Sequence, residues 1–568
     1  MRATSLLLGL GAGALALALL QLTRAEPTGA PVPQPGGPAS TVAQGHVYCG
    51  ITEQPEHLNP FTVQGGVARR YVLGFTHDTL LDTDPATGAL RPALATSHRI
   101  AADGLAIEFE LREGVVFSDG TSCTPEDVLF TWQASRAVGG AIGSMRDGLG
   151  LVRDARIVGS SPSVLHVDLH SPHFASARAV GESWVVVQRR FFEREVARLA
   201  AERGVPVPAS QQDPAFGELL ASLGASGPGT GPYMLGTDAA GNVSWRRNLD
   251  LELVRNVLSW RKRLQPRSWN LSGIRLLFLG DEAARHSALV ERRIDWYQAT
   301  DPDQVLAWRP ELLADYRKVT YDYQALGCYL VLWNNRTGPL ADARVRAVVD
   351  GLFDRESIAR DIFRGAARPA FAYFKPGSDS YPDGVVAGPV DPVAARERLA
   401  AYGFSTDSPL RIRLLVPAGF EPGRRMAELF VAAARDAGIV VELRQLDWAL
   451  LAQAEQRGEW DGLLRMQGHR SWVDPYELFH SRGTGNAMGW SDAEADRLLE
   501  TARTTHDDFE RARLNQRFNA IVTRDVPVSF LVHPLASMLF NRHIQDAVPG
   551  PLGLWPEPFW VPPEHQRR

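Results

Sequence analysis

The chain has little of several things, and each shortage closes a door. Its 568 residues contain three cysteines, Cys49, Cys123 and Cys328, with no C-x-x-C or other metal-ligand spacing, so neither a disulfide scaffold nor a zinc module is available. At most one bridge can form, and buried free thiols are the simpler expectation. Lysine is nearly absent: Lys262, Lys318 and Lys375 are the only three, and arginine makes up the rest of the 60 basic residues. That is a compositional bias from which no function follows. A net charge of −5 argues against a general nucleic-acid binder, which presents a basic face. Three common catalytic signatures are missing: H-E-x-x-H, G-x-S-x-G and a complete phosphate-binding loop. Gly227 to Pro232 only partly imitates such a loop, because Pro232 takes the place of its last glycine. After the first 25 residues no apolar run approaches the roughly 20 residues that a membrane span requires.

What is present begins at the N-terminus. Arg2 precedes fifteen residues, Leu6 to Leu20, built only of Leu, Ala and Gly, and Thr23-Arg24-Ala25 follows as a small-x-small site. This is the layout of a secretory signal. An uncleaved membrane anchor is the alternative. No cysteine follows the run closely, so a lipoprotein anchor is not expected. Cleavage after Ala25 removes Arg2 and Arg24 and takes the formal charge from −5 to −7. Residues 26–45 are Pro, Gly, Ala, Ser and Thr with almost no apolar bulk, and read as a disordered tether.

The body mixes strands and helices. Residues 46–51, 105–111, 164–169, 411–416 and 439–443 read as strands; within 105–111, Ile107, Phe109 and Leu111 alternate with Glu108 and Glu110. Residues 424–437 carry apolar side chains at helical spacing, stopped by Gly438. Ser491 with Glu494 reads as a capping box, and a last helix is expected to about Thr523. In Phe117 to Trp132, Asp119-Gly120 is a turn, Thr124 an N-cap, Pro125 the first helical residue and Asp127 the capping-box acid. The pattern is an α/β protein.

These residues also carry a resemblance. The stretch Phe117 to Trp132 is similar to the signature of the family 5 extracellular solute-binding proteins, which include oligopeptide, dipeptide and nickel binders. The likeness recurs in order along the chain: Pro55 to Pro60, the Gly229-Thr230-Gly231-Pro232-Tyr233 turn, Gly280 to Ala299, Asn334 with Leu340 to Arg346, Phe353 to Glu356, and a late block of Asp474-Pro475, Asn486, Gly489-Trp490-Ser491 and Asp496. It implies a two-lobed periplasmic-binding-protein fold (type II), with a discontinuous first lobe, an extra subdomain, a hinge and a central cleft. The expected division is a signal at 1–25, a linker at 26–45, lobe one at 46–325 with a subdomain at about 91–225, lobe two at 326–529, and a return to lobe one at 530–568. The implied role is non-enzymatic and needs no cofactor: a monomer outside the cytoplasmic membrane captures a peptide or similar solute and delivers it to an ABC permease. A membrane-tethered sensor of the same fold is the alternative.

The candidate ligand residues follow from the same blocks. In peptide binders of this family an Asp three residues before the late Asp-Pro pairs with the ligand's free α-amine. Ser471 stands there, and the neighbouring Arg470 would repel an ammonium at close range. The carboxylate-gripping Arg of dipeptide binders is also missing, since Pro417-Ala418-Gly419-Phe420 follows the strand that should precede it. An anionic, N-blocked, sugar-like or metal-complexed solute is therefore open beside a peptide. Trp472 with Arg470 supplies an aromatic face and a guanidinium. His469, Glu53 and Trp448 complete the set. Asp474 is assigned to the structural Asp-Pro turn. His166, Asp168 and His170 share a strand face with His173 close by, which is either a metal site or, more simply, the wet face of a half-buried strand.

Overall fold

The computed structural model describes residues 45–63, 66–138, 145–299, 303–304, 308, 310–323, 326–382, 384, 388–469, 472–551 and 553–566. The expected signal and nearly all of the tether lie outside the described residues. Gly45, at the tether's end, is buried.

Two large sheets organise the molecule. The first has eight strands. In spatial order seven of them are Tyr316–Tyr321, Ala536–Asn541, Trp296–Ala299, His46–Ile51, Gly273–Phe278, Asp250–Arg255 and Tyr233–Leu235; Trp245–Arg246 is added alongside Asp250–Arg255. The second runs Ala367–Pro369, Val528–Pro534, Cys328–Trp333, Gly462–Gln467, Arg411–Pro417, Val440–Leu446. The chain passes from the first sheet to the second between Tyr321 and Cys328 and returns between Pro534 and Ala536. These passages leave antiparallel neighbours on both sides, since Tyr316–Tyr321 pairs with Ala536–Asn541 and Cys328–Trp333 with Val528–Pro534. A two-lobed α/β architecture with a discontinuous first lobe and a two-stranded hinge follows from that connectivity.

Lobe two buries its sheet on both faces. Tyr329, Val331 and Trp333 enter one core with Phe353, Phe430 and Leu464. Cys328, Leu330 and Leu332 enter another with Phe479, Trp490 and Phe518. The helices Glu421–Asp436 and Asp508–Asp525 contribute to opposite cores. A strand covered on both sides reads as a continuous apolar run.

The small subdomain is a four-stranded antiparallel sheet, Ala95–Ile100, Ala106–Leu111, Val164–Leu169 and Val152–Val158. Its inner face buries Ile107, Phe109, Leu165 and Val167. Helix Pro125–Ala137 starts as expected, with Thr124 and Asp127 forming a reciprocal capping box and Pro125 at the first position. Helix Ala493–Thr504 departs from expectation. Its cap is Asp492, whose carboxylate accepts the N–H groups of Glu494 and Ala495; an Asp one residue closer to the helix outcompetes Ser491 for the same donors.

The family-like blocks serve structure first. A Cβ on Gly229 would sit 2.0 Å from the Thr76 carbonyl oxygen, and one on Gly231 2.5 Å from the Thr76 carbonyl carbon; only glycine lets these backbones approach so closely. Between them Thr230 donates to Asp78 at 2.9 Å, joined by the Trp260 indole at 2.7 Å and Arg261 at 2.7 Å. Arg346 donates to the carbonyls of Leu340, Ala341, Asp525 and Val526, and Arg355 to those of Ala370, Phe530, Asp350 and Phe353. Buried guanidiniums used this way satisfy carbonyls at helix ends, in turns and beside the strand irregularity at Leu330.

Candidate functional site

The strand Gly462–Gln467 ends beside the hinge, Cys328 pairing with Gln467. Gly327, at φ +57°, passes so close that a Cβ there would lie 1.8 Å from the Gln467 carbonyl oxygen. The chain then continues through His469 to Asp474, the segment that the sequence marks as ligand-facing. Arg470 and Ser471 lie outside the described residues. His469 is 8% exposed, packs its ring 4.8 Å from Tyr373, and among the described residues has no hydrogen-bond partner at either ring nitrogen. Burial, helped by the nearby His533 and Lys375, pushes its pKa down to about 3. His469 is therefore a buried, neutral imidazole rather than a group presented to solvent. His533, at the hinge end of its own strand, sets Nδ1 3.0 Å from the Gly327 carbonyl, and burial pushes it down to about 4. Trp472 is half-buried on the same segment.

The hinge passage touches both lobes. Asp322 pairs with Lys375 and lies 3.8 Å from Arg368 of lobe two. Tyr323 accepts a hydrogen bond from Arg70 of lobe one, whose guanidinium also lies 5.3 Å from the Tyr323 ring centroid. A further ion pair, Arg425 to Asp303 at 2.6 Å, joins helix Glu421–Asp436 to lobe one.

On lobe one, a cavity of about 530 Å³ is lined by Glu53, Gln54, Pro55, Glu56, His57, Thr62, Val63, Val67 and Ala68. Glu53 is exposed on it. The structure thus puts Glu53 on one lobe and His469 and Trp472 on the other, near the hinge. Trp448 opens helix Trp448–Arg457, capped by Asp447, and is 66% exposed.

Asp474 does more than make a turn. Its carboxylate accepts the Tyr476 N–H at 3.0 Å and Arg503 Nε at 2.8 Å, and lies 3.7 Å from His173 Nε2 of the subdomain. Burial alone would raise its pKa; His173 and Arg503 outweigh that and hold it below the ordinary carboxylate range. Sequence reasoning passed over this contact because no local pattern reports a meeting of residues 300 positions apart.

The histidine face of the subdomain is an ion-pair ladder. His166 lies 3.3 Å from Glu108 and 3.2 Å from Asp168, which are held in turn by Arg99 and Arg156. His170 lies exposed beyond the strand, and His173 belongs to the Asp474 contact. Among the described residues no group of three or more His, Cys, Asp or Glu is placed to hold a metal ion. All three cysteines are free, and burial raises the Cys49 and Cys328 thiols to about 12. Among the described residues no helix is long and apolar enough to cross a membrane.

Comparison with known proteins agrees with this architecture. The model of the bacterial extracellular solute-binding proteins, family 5 (middle region), matches residues 89–490. The chain is 24% identical over 522 residues to di/tripeptide-binding protein 2 of Pseudomonas aeruginosa (strain UCBPP-PA14), covering 85% of this chain and 91% of that one. It is 21% identical over 532 residues to heme-binding protein A of Haemophilus influenzae, covering 89% and 90%. Among solved structures, HbpA2 from Haemophilus parasuis superposes with a TM-score of 0.74 at 17% identity, over 91% of this chain and all of that one.

Proposed function

This chain belongs to the family 5 bacterial extracellular solute-binding proteins, and we propose that it captures a peptide or peptide-like solute in its interlobe cleft and delivers it to an ABC permease. The observation that carries the reading is the hinge. Two lobes with separate cores are joined by two short passages, and the strand that leads into the segment His469 to Asp474 ends beside that junction, where Gln467 pairs with Cys328. Such a hinge lets the lobes enclose a solute and desolvate it.

We place lobe one at 46–325 with its return at 530–568, lobe two at 326–529 and the subdomain at about 91–225. Arg470, Ser471 and Trp472 contact the solute from lobe two, and Glu53 from lobe one. His469 acts as the apolar-like floor beneath them, with Trp448 a further member. The protein works as a monomer outside the cytoplasm, exported by residues 1–25, and performs no chemistry. The di/tripeptide-binding relative supports a peptide; the heme-binding relative and Ser471, in place of an ammonium-pairing acid, support a non-peptide solute as the second reading.

Native mass spectrometry of gently purified protein, followed by identification of what denaturation releases, tests both. A free-amine peptide supports the first reading. An N-blocked, anionic or metal-complexed compound supports the second. An empty protein that no peptide, sugar, opine or metal-chelate panel stabilises thermally defeats the transport role.

A further inference from the structure

Lobe one and lobe two also meet at a place where no chain passes between them. The loop after the strand Val164–Leu169, in the subdomain, lies against the turn between the helices Ala493–Thr504 and Asp508–Asp525 of lobe two. Phe174 donates its backbone N–H to the Arg503 carbonyl at 2.7 Å. Arg511 sets its guanidinium 4.4 Å from the Phe174 ring centroid, a cation–π contact. His173 Nδ1 accepts the Ala175 N–H at 3.1 Å. In the neutral ring this leaves the proton on Nε2, which faces Asp474. Arg503 closes the other side of Asp474, bonds Glu477 at 2.9 Å and lies 3.7 Å from the Tyr476 ring centroid. A Cβ on Gly104, in the neighbouring hairpin turn, would lie 2.9 Å from Pro172 and 3.1 Å from His506. Three segments from two lobes therefore pack with no room for one more methyl group.

We propose that this contact is a latch that holds the lobes closed in the absence of solute, with Asp474 tying it to the solute-facing segment. The charged members are largely buried, Asp474 with a side-chain exposure of 13% and Arg503 of 26%, and opening the lobes strips Asp474 of its His173 partner while leaving Arg503 in place. Opening also wets the Phe174 face and breaks its backbone hydrogen bond to lobe two. Asp474 stands two residues from Trp472, so movement of the solute-facing segment moves the carboxylate shared by the two lobes. A latch of this kind sets the fraction of molecules already closed, and through it the apparent affinity for any solute. The proposal does not depend on which solute the cleft takes.

Small-angle X-ray scattering on protein stripped of solute by unfolding and refolding tests it. The unaltered chain is expected to scatter as the closed form. Phe174→Ala and Arg511→Ala are each expected to raise the radius of gyration, with about a fivefold fall in the ratio of closed to open molecules, of the order that one cation–π contact supplies. The double variant is expected to open little further than the more open of the two single variants, because both changes remove one contact. Circular dichroism and melting curves show whether each variant is folded; Arg511→Ala, which besides the Phe174 contact removes a hydrogen bond to the Thr505 carbonyl within lobe two, serves if Phe174→Ala does not refold. Scattering curves for Arg511→Ala and Phe174→Ala that superpose on that of the unaltered chain overturn the latch. So does an unaltered chain that is already open when empty.

Discussion

At the scale of single residues, one buried charge cluster bears directly on stability. Asp78 is 2% exposed and receives Arg261, Thr230 and the Trp260 indole, while Arg261 also reaches Asp82 at 3.2 Å. Removing one charge from such a cluster leaves Arg261 in a dry setting with the weaker compensation of Asp82. Asp78→Asn keeps the shape and removes the charge, and is expected to destabilise the chain by about 3 kcal/mol, read from chemical unfolding. A loss below about 1 kcal/mol would mean that Asp82 or entering water compensates Arg261. Ser471 poses the opposite experiment. If the segment faces solute as proposed, Ser471→Asp restores an ammonium partner beside Arg470. Binding of a free-amine tripeptide, followed by calorimetry, is expected to strengthen about tenfold, the worth of one charge-assisted hydrogen bond. An unchanged affinity removes residue 471 from the site.

At the scale of elements, legibility followed burial pattern. The strands Ala106–Leu111 and Val164–Leu169 have one dry and one wet face, so alternation announced them. Cys328–Trp333 is buried at every position, and its unbroken apolar run carries no period to tell strand from helix; the sequence reading passed over it although it is central to lobe two. The capping box at Thr124 was legible because its partners are three residues apart, whereas Asp492 and Ser491 competed at adjacent positions and only the backbone decided between them. The site was less legible than the fold. Family-like blocks mark the segment 469–474 as the expected ligand contact, but they do not tell that His469 turns inward or that Asp474 reaches His173, because both depend on how distant segments pack. The strand Cys328–Trp333 also yields a prediction. Leu330 is fully buried in the core that holds Phe479 and Phe518. Leu330→Ala is expected to cost about 2–5 kcal/mol and, in scanning calorimetry, to lower the melting of lobe two while the lobe-one core around Val47 and Ile274 melts as before. A single transition shifted as a whole would show instead that the lobes unfold together.

At the scale of the whole molecule, buried imidazoles in both lobes make stability a function of pH. His77 in lobe one is 4% exposed, and burial, partly offset by the Ser226 carbonyl, pushes its pKa down to about 4. In lobe two, His469 and His533 are pushed down to about 3 and about 4. Unfolded, each returns to 6.5, its ordinary value. Between pH 6.5 and roughly pH 4 the unfolded chain therefore binds more protons than the folded one, so stability rises with pH across that window and is lost as acid is added. The three residues together contribute a slope approaching three protons near pH 5. Asp474 adds in the same direction at lower pH, because its depressed carboxylate stabilises the fold above its unfolded value of 3.8 and that stabilisation fades as pH falls through the folded value. Chemical unfolding measured at half-unit steps from pH 7 to pH 4 is expected to show this slope. His469→Gln, which cannot take up a proton in the unfolded chain, is expected to remove about one proton from it. Because His77 and His469 sit in different lobes, His77→Gln is expected to flatten the acid dependence of the lobe-one transition and His469→Gln that of lobe two. Profiles that stay parallel to the unaltered chain's would mean that these rings gain their protons equally in the folded and unfolded chains, and so that their buried sites open to water without global unfolding.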